Sequence, residues 1–148
     1  MVKIINKFYG EYRFLSNFYD SPIMYFGATY ATVEHAFQAA KTLDEVERKE
    51  VREQPTPGKA KRAGGKVTLR DDWEERKVMI MRGLVLQKFA NYPKLRKKIL
   101  ETGDAELIEG NTWNDTFWGV CDGVGENRLG KILMSVREGL ARYERRES

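Results

Sequence analysis

DDWEERKVMIMRGLVLQKFA, residues 71–90, is the longest stretch of this chain that holds a single period. Trp73, Lys77, Ile80 and Leu84 recur at the three-and-four spacing of one helical stripe, with Met81, Val85 and Phe89 forming a neighbouring one. Two adjoining apolar stripes predict a central, largely buried helix. Asp71 at its head is a residue type that accepts hydrogen bonds from the first free amides of a helix.

Toward the N-terminus the pattern changes. Residues 54–70 contain no acidic side chain but carry Lys59, Lys61, Arg62, Lys66 and Arg70 around Gly64-Gly65. This run reads either as a solvated face or as a phosphate contact, in which glycine amides approach the anion while Lys66 or Arg70 supplies charge. The PTPG at 55–58 ends a charged helix over residues 44–54 that Asp44 caps. Before it, Thr32 caps a helix running to about residue 43. Residues 3–9 and 23–30 are rich in Ile, Tyr and Phe and are punctuated by Asp20-Ser21-Pro22 and Phe26-Gly27, which predicts short strands or a hairpin.

Toward the C-terminus, Pro93 separates the long helix from a basic one over residues 94–101, and Gly103 suits its C-terminal cap. Residues 104–125 read as a glycine-punctuated loop with two tryptophans. The chain then closes on a helix with Leu129, Ile132, Leu133, Val136, Leu140 and Tyr143 on one face. The expected fold is therefore mainly α with a few short β-strands. At 148 residues, without a repeat or a composition break, one compact domain over 1–148 is expected.

Bulk chemistry narrows the function classes. The chain is 41% hydrophobic and 32% charged, which is the balance of a folded globular protein rather than a disordered one. It has no apolar run of bilayer length and no secretory leader, so no membrane contact is expected. Cys121 is the only cysteine, which favours a reducing, cytoplasmic location. One histidine and one cysteine argue against a zinc centre, and neither EF-hand nor P-loop spacing is present, so neither metal nor cofactor is expected. The net charge of +4 favours anionic partners without choosing among them.

Candidate chemistry gathers in three blocks. In ATVEHAFQAAK, residues 31–41, Glu34, Gln38 and Lys41 share a helical face; His35 points away, and Ala36, Ala39 and Ala40 form the opposite, packing side. By spacing alone a solvated charged stripe explains this face better than a reactive site does, and His35 reads as support. FLSNFYDSP, residues 14–22, sets Ser16, Asn17 and Phe18 in a loop, a common place for ligand contacts. WNDTFWGVCDGVGENRLG, residues 113–130, holds Asn114, Asp115, Trp118, Gly119 and Asn127. Aromatic faces beside amides and carboxylates suit a base and a ribose, although each tryptophan, Trp73 included, also reads as core.

Taken in order, FLSNF (14–18), EHAFQAAK (34–41), LRDDW (69–73), NDTFWG (114–119) and NRLGKILMSVR (127–137) resemble the NADAR superfamily of YbiA-like N-glycosidases. The resemblance implies a mainly helical YbiA-like domain that hydrolyses the bond between ribose C1 and a nitrogen. The implied substrates are ADP-ribosylated guanine in nucleic acid or phosphoribosyl-amine intermediates of riboflavin biosynthesis, with no obligate protein partner. It places the family's glutamate, lysine, tryptophan and aspartate on Glu34, Lys41, Trp73 and Asp115, and makes Lys41 the residue able to form a Schiff base with ribose C1. The reaction itself needs a proton for a poor nitrogen leaving group and stabilisation at C1, roles open to Glu34 or Asp115 as acid and base. A lysine nucleophile must be partly neutral, which desolvation or a cationic neighbour achieves. Ser16, Asn17, Phe18, His35, Gln38, Lys66, Arg70, Trp73, Asn114, Trp118, Gly119 and Asn127 are the expected substrate contacts. Two alternatives need no catalytic carboxylate or amine: a non-catalytic ADP-ribose or NAD sensor, and a nucleic-acid-binding module that sets basic segments on phosphates.

Overall fold

A computed structural model describes residues 2–147. The fold is mainly α with a few short β-strands. Contacts divide the chain into two compact units, Asn17–Lys88 and the pair of segments Met1–Ser16 and Phe89–Ser148.

In the Asn17–Lys88 unit, β2 (Ile23–Tyr25) and β3 (Ala28–Tyr30) form an antiparallel hairpin in which Ile23 faces Tyr30 and Tyr25 faces Ala28. Its two-residue turn, Phe26-Gly27, has both φ values positive, 46° and 77°, the type I′ geometry whose twist matches the flanking strands. Ile23 and Tyr30 anchor the inner face at 0% and 1% exposure. The outer edge is tied down from the long helix, where the Gln87 amide accepts from the Met24 N–H and donates to the Met24 carbonyl at 2.7 and 2.9 Å.

Three short helices follow, each begun by a side-chain cap. Thr32 accepts from the His35 amide at the head of α1 (Val33–Ala39), and Asp44 from Val46 and Glu47 at the head of α2 (Glu45–Arg52). Thr56 accepts from Lys59 at the head of α3 (Pro57–Gly64). The expected turn at 55–58 is thus a helix start, with threonine at N-cap and proline in the first turn, where its missing N–H costs nothing. α1 stops earlier than expected because Thr42 turns back into the next cap: its hydroxyl accepts from the Asp44 amide and donates to Glu47 at 2.6 Å.

The long helix α4 (Trp73–Asn91) starts after Asp72, whose carbonyl accepts from Arg76. It is buried along one stripe of Trp73, Met81, Leu84, Val85, Lys88 and Phe89, while Met79 is 66% exposed. Its breadth of apolar residues therefore overstates its burial. Arg82 and Gly83 sit on the solvent side; the Met81, Val85 and Phe89 stripe is buried, whereas the stripe that starts at Trp73 is only partly covered at Lys77 and Ile80.

In the other unit the expected strand over residues 3–9 reduces to β1 (Ile4–Ile5), which pairs in parallel with β4 (Glu106–Leu107). The chain then tightens into a 3₁₀ helix, Gly10–Leu15. The expected loop at 104–125 contains a second parallel pair, β5 (Gly110–Asn111) with β6 (Val120–Cys121). α5 (Pro93–Glu101) and α6 (Arg128–Glu147) pack around a core that includes Phe14, Phe89, Ile99, Leu107 and Leu133. Gly103 takes φ +63° and donates its N–H to the Leu100 carbonyl, closing α5 as its position predicts.

Candidate active site

Every residue of α1 is buried, its polar ones included: Glu34 is 8% exposed, Gln38 4% and His35 1%. A solvated charged stripe is thereby excluded. The helix is held at both ends by the loops that flank it. At its start the Asn17 carbonyl accepts from the Glu34 amide at 3.1 Å, so the FLSNF loop satisfies a donor that the helix itself leaves open. At its end the Arg70 amide donates to the Lys41 carbonyl at 2.8 Å and the Arg70 guanidinium reaches the Ala40 carbonyl at 3.4 Å. Arg70 in turn is gripped by Asp72 at 2.6 Å. It serves as a C-terminal cap for α1, where a cation also suits the negative end of the helix dipole.

His35 is consumed by support. Its Nε2 lies 2.9 Å from the Gln54 carbonyl, which can only accept, so Nε2 carries the proton and Nδ1 accepts from the Thr32 hydroxyl at 2.8 Å. Trp73 is 6% exposed and packs its ring 5.0 Å from Phe37, a core placement on the helix that follows Arg70.

The polar face of α1 is covered by α3. Gly64 sits so close to Gln38 that a Cβ there would collide with the amide oxygen. The Gln38 amide donates to Glu34 at 2.6 Å, while its Oε1 is, among the described residues, a buried oxygen with no hydrogen-bond partner in the chain. Burial raises the Glu34 carboxyl above its ordinary value, a push opposed by the Gln38 bond and by the charges of Lys61 and Lys41. Burial likewise lowers the Lys41 ammonium; Glu34 opposes this, and Lys61 and Lys77 add to it by like-charge repulsion. The acid and the amine are therefore both moved toward their neutral forms.

Lys61 and Lys77 are the site residues that sequence reading passed over. Each had a signal: Lys61 lies one turn before Gly64 on the face of α3 turned to α1, and Lys77 one turn after Trp73 on α4. Lys66, by contrast, lines a groove of about 340 Å³ with Glu47, Glu50, Gln54, Lys59 and Arg62. Phe18 is 38% exposed beside Asn17 in the loop that meets α1.

Asp115, Asn114, Trp118, Gly119 and Asn127 belong to the other unit, as does Ser16, which closes the 3₁₀ helix. There Asp115 Oδ1 accepts from the Phe117 and Trp118 amides at 3.1 and 2.9 Å, fixing a tight turn. Asn111 brackets Asp115 from both sides, donating to its carbonyl and accepting from its amide. Asn127 joins Leu107 and Glu109 through its side-chain amide, and a Cβ at Gly119 would collide with Glu109. Trp118 is half-buried with its ring edge-on to Phe117, while Asn114, at φ +67°, is exposed. Among the described residues no cluster of three or more histidine, cysteine or carboxylate side chains is placed to hold a metal ion, and no helix is long and apolar enough to cross a membrane.

Similarity to known proteins spans both units. The chain is 44% identical over 134 residues to N-glycosidase YbiA of Escherichia coli (strain K12), covering 88% of this chain and 83% of that protein. It is 40% identical to N-glycosidase Npun_R5314 of Nostoc punctiforme, covering 89% and 88%. It is 38% identical to the riboflavin biosynthesis protein VVA0006 of Vibrio vulnificus, over 90% of this chain but 37% of that longer protein. The NMR structure of E. coli YbiA superposes with a TM-score of 0.85 at 41% identity, covering 97% of this chain and 89% of that one. The NADAR domain model matches residues 7–141, and the chain belongs to the NADAR domain family.

Proposed function

We propose that this chain is an N-glycosidase that hydrolyses the bond between ribose C1 and a nitrogen, with Glu34 as proton donor and Lys41 as nucleophile. The observation that carries this reading is the opposed displacement of two groups, one on α1 and one just past its end: a carboxyl pushed toward its acid form and an amine pushed toward its free base. Those are the states the reaction consumes. The neutral Lys41 nitrogen attacks C1 as the C1–N bond breaks, and Glu34 gives its proton to the departing nitrogen. A proton then passes from the attacking nitrogen to the ring oxygen as the C1–O4 bond breaks, giving a protonated imine with the opened ribose. Water, deprotonated by the Glu34 carboxylate, adds to the protonated imine; its collapse returns Lys41 as amine and ribose as aldehyde. Gln38 Oε1, buried without a partner among the described residues, suits a ribose hydroxyl as donor.

Relatives carrying the names N-glycosidase and riboflavin biosynthesis protein support both the bond type and a phosphoribosyl-amine substrate. ADP-ribosylated guanine in nucleic acid is the second substrate we assign, in keeping with the +4 net charge.

The test is a substrate panel run with and without borohydride. Released base or amine is expected from one of these N-glycosides, with a reduced adduct that maps to Lys41 by peptide mass. Lys41→Ala is expected to abolish both. A fully active Lys41→Ala protein would overturn the nucleophile assignment, and no cleavage of any N-glycoside would overturn the activity.

A further inference from the structure

The β2–β3 turn is built from a residue poorly suited to it. Both central positions of a type I′ turn need positive φ, where asparagine, aspartate or glycine is at ease and a bulky side chain is sterically penalised. Phe26 occupies the first of them at φ 46°. Its ring is 78% exposed, so folding recovers little apolar burial for that penalty. Strain of this kind at an exposed ring points to function.

The ring is also backed by charge. The Arg48 guanidinium lies 5.1 Å from the Phe26 ring and 5.3 Å from that of Tyr25, and the two rings meet edge to face at 4.7 Å. Arg48 is itself 5% exposed and fixed by donating Nε–H to the Thr42 carbonyl at 2.8 Å; it pairs at 3.6 Å with Glu45, an exposed carboxylate. Arg52 lies over the Tyr30 ring at 5.6 Å, and Tyr25 also engages Arg70. The hairpin thus presents an aromatic face, backed by a guanidinium, among three arginines. A flat π-system is the ligand chemistry that suits this face, by stacking on an exposed ring whose other side is held by a cation.

We propose that Phe26, backed by Arg48, is a stacking platform for the base of a nucleotide, whether free or within a single strand. The proposal stands apart from the glycosidase reading, because it involves binding alone and residues outside the glycosidic centre.

The test is equilibrium binding of AMP, a single-stranded oligoadenylate and ribose 5-phosphate to wild type, Phe26→Asn and Phe26→Trp, each checked for a cooperative melt. Phe26→Asn keeps the turn, since asparagine prefers that position. It is expected to weaken AMP and oligoadenylate about fivefold to a hundredfold, the range one base stack commands, and to leave ribose 5-phosphate unchanged. Phe26→Trp is expected to retain binding, with indole fluorescence quenched by the base. Oligoadenylate binding that is much tighter than AMP and falls steeply with salt identifies a strand as the source; equal affinities identify a free nucleotide. Unchanged AMP and oligoadenylate affinities in Phe26→Asn, or wild type that binds neither at millimolar concentration, would overturn the proposal.

Discussion

Glu34, buried on α1, and Lys41, half-buried just past its end, carry opposite chemistry, and each is costly to the fold in its charged form. For Glu34 the folded carboxyl holds its proton to higher pH than the unfolded one does. Its contribution is therefore fully present below the ordinary carboxylate range and is lost as pH rises through the raised value, because the unfolded chain releases a proton that the folded chain keeps. Glu34→Gln removes that loss while retaining the Gln38 contact. This variant is expected to melt no lower than wild type at neutral pH, with a flatter stability profile above pH 5, while its turnover falls about 10²–10⁴-fold, the usual worth of a positioned acid. Thermal melts across pH paired with single-turnover assays check both halves. Retention of turnover would remove Glu34 from the mechanism.

Among the elements, the seam between α1 and α3 decides whether the face works. Gly64 is what lets α3 approach, since a Cβ would strike the Gln38 amide that holds Glu34. Gly64→Ala is expected to cost about 1–3 kcal/mol by overpacking and to lower activity as well, through displacement of Gln38. Gly65→Ala is the control: its Cβ would meet nothing closer than the Arg62 carbonyl at 3.4 Å, and near-wild-type behaviour is expected. Denaturant unfolding of the two variants separates them. Equal stabilities would mean the seam yields easily.

Stability of the whole molecule carries the signature of another lysine. Lys88 is 1% exposed, lies 5.5 Å over the Tyr19 ring and is lowered by burial to about 7. Between that value and the ordinary lysine range the unfolded chain holds a proton that the folded chain lacks, so stability rises with pH across this window. The expected slope is up to about 1.4 kcal/mol per pH unit from this one group. Lys88→Met should erase the slope while filling the same space, as measured by urea unfolding at pH 7 to 10. A slope that survives the substitution would place its source in other groups.

Helix starts were legible in the sequence because caps are local chemistry: Thr32 and Asp44 act where their residue types predict, and Gly103 closes α5. The same local signal marked α3 at Thr56-Pro57, where the glycine and prolines of PTPG read as a turn instead. Two-residue strands such as β5 and β6 are too short to carry a period, so nothing local announces them. Family membership was also legible, since five motifs in order survive without any coordinates. Burial was not. The apolar breadth of α4 suggested a helix enclosed on most sides, yet Met79 and Leu86 face solvent; the polar face of α1 suggested exposure, yet α3 covers it. Spacing shows which side chains share a face, while only packing shows what that face meets. That is why Glu34 and Lys41 could be named from the sequence, whereas the burial that shifts them, and the Lys61 and Lys77 charges arriving from two other helices, belong to the tertiary structure alone.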